Sequence, residues 1–190
     1  MDKRSDMKLV SEGLDRYREI YAILDKAGPA PYDCGTLCNS ICCSDSSFED
    51  GDSYIYLLPG EKEYLEAVGS SIVIERQRRD EHDLPKSWGE YVYIARCPGK
   101  ETCERGTRPI QCRTFPLHPF ISDKGKLEMR LYYFELPYSC PFVEGKEPVS
   151  EEHRLMTQKA WEILTEDKAI RDLVKLDSKE LIKMRKEGMA

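Results

Sequence analysis

Cys34-Gly35-Thr36-Leu37-Cys38-Asn39-Ser40-Ile41-Cys42-Cys43 is the stretch on which the reading of this chain turns. It sits inside residues 29 to 52, which are rich in Pro, Gly, Ser and Asp and show neither helical nor strand-like apolar spacing. A loop that long inside a compact domain is unusual, so something other than an apolar core must order it. A second irregular segment, 98 to 119, has the same character. It is entered through Cys97 and carries Cys103 and Cys112, and Cys140 follows after 27 intervening residues.

Short spacings let neighbouring thiolates converge on one ion at small loop-closure cost, and a ligand from outside completes the tetrahedron. Thiolate is a soft donor, which selects zinc or an iron–sulfur cluster over magnesium or calcium. The expected ligands are Cys34, Cys38, Cys42, Cys43, Cys97, Cys103, Cys112 and Cys140, arranged in one or two centres. Zn2+ is the expected metal, with iron or a [4Fe-4S] cluster as the alternative. Folding can interleave the two clusters, so their order in the chain does not divide the ligands. Adjacent residues rarely aim both side chains at one ion. One of Cys42 and Cys43 therefore serves the other site, bridges, or is spare. Each cysteine also has an ordinary reading as a small buried hydrophobe.

The compartment decides between ligands and disulfides. Met1-Asp2-Lys3-Arg4-Ser5-Asp6 leads into no apolar signal-peptide core, which predicts a cytoplasmic location, where clustered thiols are metal or redox groups more often than disulfides. The 190 residues suit a single domain with one core. No apolar run approaches the roughly 20 residues of a membrane-spanning helix, and the mean hydropathy is −0.60. A formal charge of −6 argues against nucleic acid or an anionic membrane as partner. Two filled centres would take that charge to about −10, at −2 per site. Cys-x-x-Cys, the S-adenosylmethionine radical spacing, the ferredoxin run, Gly-x-Gly-x-x-Gly and Walker A are all missing.

The flanks supply the fold class. Val10, Leu14, Tyr17, Tyr21 and Leu24 lie on one stripe of a helix predicted over residues 6 to 28, stopped by Gly28 at a left-handed position and by Pro29. Strands are predicted at Ser53–Leu58, Ser71–Glu75 and Tyr91–Arg96, with a short helix from Pro59-Gly60-Glu61 to Gly69. A hairpin is predicted with Pro119–Ser122 as its first arm and Leu127–Tyr133 as its second. From 149 the pattern is helical to residue 190, with Ser150 and Thr165 as expected N-caps and Asp177 with Glu180 as an expected capping box. This tail carries nine acidic and nine basic residues and is a conceivable docking element for a protein partner. The expected architecture is α+β: a small mixed or antiparallel sheet with metal-ordered, Cys-rich loops over 29–148, between N-terminal and C-terminal helices.

Cys34…Cys38…Cys42-Cys43, the short strand with Pro59-Gly60-Glu61, then Cys97, Cys103 and Arg108-Pro109-Ile110-Gln111-Cys112-Arg113-Thr114-Phe115-Pro116, together resemble the YkgJ-type zinc- or iron-chelating domain. The Arg-Pro-x-x-Cys-Arg-x-Phe-Pro stretch is the most specific part, and the resemblance spans about residues 34 to 142. The first cluster is more widely spaced than the family's. The resemblance implies metal chelation by these cysteines in a small cytoplasmic protein. It also implies kinship with proteins associated with protein modification, such as flagellin lysine methylation.

Residues around the thiols complete the expectations. Arg108 and Arg113 are placed to hydrogen-bond sulfur and offset its charge, whereas Arg105 reads as a surface charge. His118 reads as a loop histidine bonded to backbone, and Asp45, Glu49, Asp50 and Asp52 as a solvated acidic run. Two alternatives to a structural metal protein stand beside it: a metal-dependent enzyme that assists protein or peptide modification, and an iron–sulfur redox or sensor protein.

Overall fold

The computed structural model describes residues 3–43, 54–97, 99 and 101–187, with side chains from residue 12 onward. The acidic run between Asp45 and Asp52, and the side chain of Val10, lie outside these residues. The order is α1 (Lys3–Leu24), α2 (Gly35–Cys38), β1 (Tyr54–Tyr56), α3 (Glu61–Ala67), β2 (Val73–Arg78), β3 (Tyr91–Arg96), α4 (Ile110–Thr114), β4 (Leu117–Ile121), β5 (Leu127–Leu131), α5 (Glu151–Leu164) and α6 (Lys168–Lys186). The fold is α+β. β1-β3-β2 form an antiparallel sheet with β3 central, and β4 and β5 form a separate antiparallel hairpin.

The apolar stripe of α1 faces inward. Tyr17, Ile20, Tyr21 and Leu24 are each at most 2% exposed, so the helix is packed on its own domain. They meet Leu57, Leu58 and Leu65 around α3, Val92 and Ala95 of β3, and Ala160, Trp161 and Leu164 of α5. Ile170, Leu173 and Val174 of α6 belong to the same cluster, so the C-terminal helices are part of the core. A smaller cluster of Leu117, Cys140, Phe142 and Val149, flanked by Cys34 and Phe115, lies apart from it.

The helix ends correct the sequence reading in three places. α1 stops at Leu24, and its last turns tighten through Asp25 N–H to Tyr21 O and Lys26 N–H to Ile23 O. Gly28 is not in the left-handed region. Its missing side chain instead makes room for Arg105, whose Nη2 would stand 2.7 Å from a Cβ there and donates to Ala27 O at 3.3 Å. Ser150 caps α5 by accepting from His153 N–H at 3.1 Å, as expected. Thr165 closes α5, and α6 is capped by Asp167, which accepts from Ala169 and Ile170 N–H at 2.7 and 3.3 Å. Asp177 is inside α6, so its spacing to Glu180 is helical periodicity, not a capping box.

Candidate metal centre

Four separate parts of the chain bring the cysteines into one region. Cys34 precedes α2 and Cys38 ends it. Asn39 and Ser40 then adopt φ of +53° and +55°, which turns the backbone so that Ser40 N–H reaches Gly35 O and Cys43 N–H reaches Ser40 O. Two consecutive non-glycine residues in that region cost about 1–2 kcal/mol each and persist only where their surroundings impose it. Cys42 and Cys43 follow in the short helical turn Ile41–Cys43.

β3 delivers Cys97, one residue beyond Arg96, whose guanidinium grips Glu75 of β2 at 3.0 and 3.1 Å. Cys112 rides on α4, and α4 is held by two anchors. Gln111 Nε2 donates to Tyr56 O of β1 at 2.7 Å. Ile110 N–H donates to Glu61 Oε1 at 2.6 Å, while the same carboxylate accepts from Tyr21 OH at 3.0 Å and Leu58 N–H at 2.9 Å. Glu61 has no exposed surface, and burial, opposed by its three donors and by Arg113, pushes its carboxyl up to about 7. Sequence reasoning read Glu61 as the start of a helix and as part of the Pro59-Gly60-Glu61 stretch, without a role of its own. Nothing in its immediate sequence marked it, because two of its partners come from 40 and 49 positions away.

A recess of about 50 Å³ is lined by Cys34, Cys38, Cys42, Cys43 and Cys140, with Phe115, Tyr138 and Phe142 around them. One water needs roughly 10–15 Å³ of such space, so there is room for an ion. Cys140 is 7% exposed and packs in the smaller apolar cluster, so it carries its hydrophobic role together with any other. Cys42 and Cys43 Sγ are 4.0 Å apart, and Cys97 Sγ stands 4.0 Å from Cys43 O. Cys112 keeps solvent access although the protein around it is dense. Its titratable neighbours are Cys43, Cys103, Cys97 and Glu61.

Three of these thiols, Cys34, Cys43 and Cys112, resist ionisation. Burial pushes the Cys112 thiol far up, and burial with Asp33 and Cys38 beside it raises that of Cys34. The hydrogen bond with Cys42 brings Cys43 up to about 11, against the opposing pull of Cys97. Arg108 answers that charge. Its Nη2 donates to Cys103 O at 3.4 Å, and its guanidinium lies near the thiols of Cys103, Cys43 and Cys112. Its Nε is buried and, among the described residues, has no hydrogen-bond partner, an orphaned donor beside sulfur.

Arg108 thus stands beside Cys103. Arg113 is engaged elsewhere: it meets Asp25 at 2.5 Å, donates to Gly106 O at 3.1 Å and lies over the Tyr21 ring. It ties the Cys112 helix to α1. His118 lies in β4, not in a loop. Its Nε2 is 3.2 Å from Asp177 Oδ2, with Tyr132, Tyr133 and Phe134 rings edge-on to it.

All eight cysteines are free thiols, and none is in a disulfide. Among the described residues no three Cys, His, Asp or Glu side chains stand together at ligand distances. The sulfurs are gathered into one region without being closed on a point. A soft, all-sulfur donor set with a buried arginine donor beside it nonetheless fits a thiophilic metal. No described helix is long and apolar enough to cross a membrane. The chain matches no family model, no curated protein and no solved structure.

Proposed function

We propose that this chain is a cysteine-ligated metal-binding protein of a reducing, cytoplasm-like compartment. Its thiolates hold zinc, or alternatively iron in an iron–sulfur cluster, and thereby order the segments around residues 29–52 and 98–119. One observation carries the reading: all eight cysteines are free thiols, five of them, from two distant parts of the chain, line one recess together with Arg108, and the buried Nε of Arg108 has no hydrogen-bond partner among the described residues. The left-handed pair Asn39-Ser40 supports it, since a strained turn between ligands needs a strong local constraint. So does the resemblance to YkgJ-type chelating domains. Metal binding would reverse the raised thiol pKa values and release protons.

Elemental analysis of anaerobically prepared protein tests this directly. At least one zinc or iron per chain should survive gel filtration, and visible absorbance separates a cluster from colourless zinc. Structural zinc sites supply roughly 10 kcal/mol or more, comparable to a domain's whole stability. A chelator should therefore abolish near-ultraviolet dichroism and lower the thermal midpoint. Metal-free protein that keeps both would refute the proposal.

The enzymatic alternative, metal-assisted modification of a protein or peptide, draws on the recess beside Cys34, Cys38 and Cys140. Catalytic metals keep one coordination position open, whereas four-thiolate sites are closed. Cobalt substitution distinguishes them, because a water ligand and a full thiolate set give different charge-transfer intensities.

A further inference from the structure

We propose that the basic recess between α6 and the short turn Lys86–Trp88 is a docking site for an Asp/Glu-rich segment of a partner protein. The proposal does not depend on the thiols, none of which lines this recess. The recess has a volume of about 540 Å³, and Lys86, Lys168, Lys175 and Lys179 line it with a single acid, Asp172. Leu176 lies among them. The fold holds the two sides together. Trp88 Nε1 donates to Ala169 O at 2.9 Å across 81 positions, which ties the turn carrying Lys86 to the first turn of α6. Ile170, Leu173 and Val174 fix the opposite face of α6 in the core.

Successive residues of an α-helix are about 100° apart, so Lys168, Lys175, Lys179, Lys183 and Lys186 fall within about 80° of one another on α6. Asp172 is the one acid in that sector. Some of these cations have ordinary roles. Lys168 meets Asp172 at 2.6 Å, and Lys183 meets Glu180 at 3.8 Å. Lys183 and Lys186 also lie in the last turn, where the helix dipole favours positive charge. Lys86, Lys175 and Lys179 have neither role. They are exposed, and among the described residues none has an ion-pair partner. Lys175 with Lys179, and Lys179 with Lys183, are like-charged pairs one turn apart, which disfavour the helix that carries them. The chain has 35 acidic against 29 basic residues, and still supplies these three with no counterion among the described residues.

Charge and size select the occupant. A nucleic-acid duplex or an anionic membrane would extend past the stripe and meet the rest of a chain whose formal charge is −6. Lys168 to Lys186 spans about 27 Å at 1.5 Å per residue, the length of about eight extended residues. Leu176, 41% exposed beside the lysines, offers an apolar contact that a peptide side chain uses and a phosphate does not.

Fluorescence anisotropy of a fluorescein-labelled nonapeptide, eight glutamates around a central leucine, tests this on the full-length chain. One peptide per chain should bind saturably at low salt and weaken as salt rises. Lys175→Ala/Lys179→Ala should raise Kd roughly three- to thirtyfold, the effect of losing two exposed ion pairs, and adding Lys86→Ala should raise it further. Lys124→Ala/Lys126→Ala removes the same charge from the turn between β4 and β5 and should leave Kd unchanged. Leu176→Ser should weaken the peptide and leave inorganic tripolyphosphate unaffected. All the substituted side chains are exposed, so an unchanged thermal midpoint reports a folded chain. No saturation below about 1 mM, or an equal response to the two double variants, overturns the site. Tighter binding of tripolyphosphate, an eight-nucleotide oligothymidylate or phosphatidylserine vesicles than of the peptide overturns the assignment of a protein partner. Every one of these outcomes leaves the metal-binding reading standing.

Discussion

Replacing Glu61 with glutamine tests whether one buried carboxyl holds the cysteine scaffold to the core. Oε1 accepts from Tyr21 OH and Ile110 N–H, and Oε2 accepts from Leu58 N–H alone. In Glu61→Gln the amide oxygen can keep the first two partners, which turns its NH2 towards Leu58 N–H and orphans one buried donor. That costs roughly 1–3 kcal/mol. Glutamine also never has to bury a charge, and this changes the pH dependence. Burial raises the carboxyl from its ordinary 4.5 to about 7 in the folded chain. The folded state therefore holds the proton more tightly than the unfolded state. The stability this contributes is fully present below the unfolded pKa and is lost as pH rises through the folded one. From pH 5 to pH 8 the native chain should lose roughly 2–3 kcal/mol through this group, and the variant nothing. Urea unfolding of both, followed by Trp88 and Trp161 fluorescence at matched metal loading, gives the difference, because every other titrating group cancels. A gap between the two chains that stays constant across that range would refute the reasoning.

Leu181→Ala in α6 should cost roughly 2–5 kcal/mol by leaving a cavity, since Leu181 has no exposed surface. Thermal denaturation checks it, and a loss under 1 kcal/mol would mean the tail is a detachable docking element after all. Asp25→Asn leaves Arg113, buried in the core, without its anion. Because Asp25 is largely exposed, the loss should be modest, roughly 1–2 kcal/mol, and weaker in high salt. An unchanged urea midpoint would count against that pairing. Ser150→Ala removes the α5 cap and the Ser150 Oγ bond to Gly28 O at 2.9 Å, and should lower stability by about 1 kcal/mol in the same assay.

Local patterns survived into three dimensions wherever the information was local. The Tyr17–Tyr21–Leu24 stripe, the alternation of Tyr91–Arg96, the hairpin around Gly125 and the Ser150 cap are each written within a few residues, and each lies where it was expected. Thr165 and the Asp177–Glu180 pair misled because cap-like residue types also occur beside caps and inside helices. Gly28 misled for a different reason. The same residue serves a left-handed turn and a close approach, and only the position of Arg105 distinguishes them.

The amino-acid order by itself determined that six of eight soft donors would stand in two irregular segments between short strands, with Cys97 and Cys140 beyond them and helices at both ends. Spacing and composition are properties of the chain as written. What only the tertiary structure decided was company. It sent Arg113 to Asp25 and left Arg108 among the sulfurs, made Glu61 the clamp between α1, α3 and α4, and set Cys140 beside Cys34 across more than a hundred residues. Contacts between distant residues are set by how helices and sheet bury their apolar faces together, and no short window of sequence contains that sum.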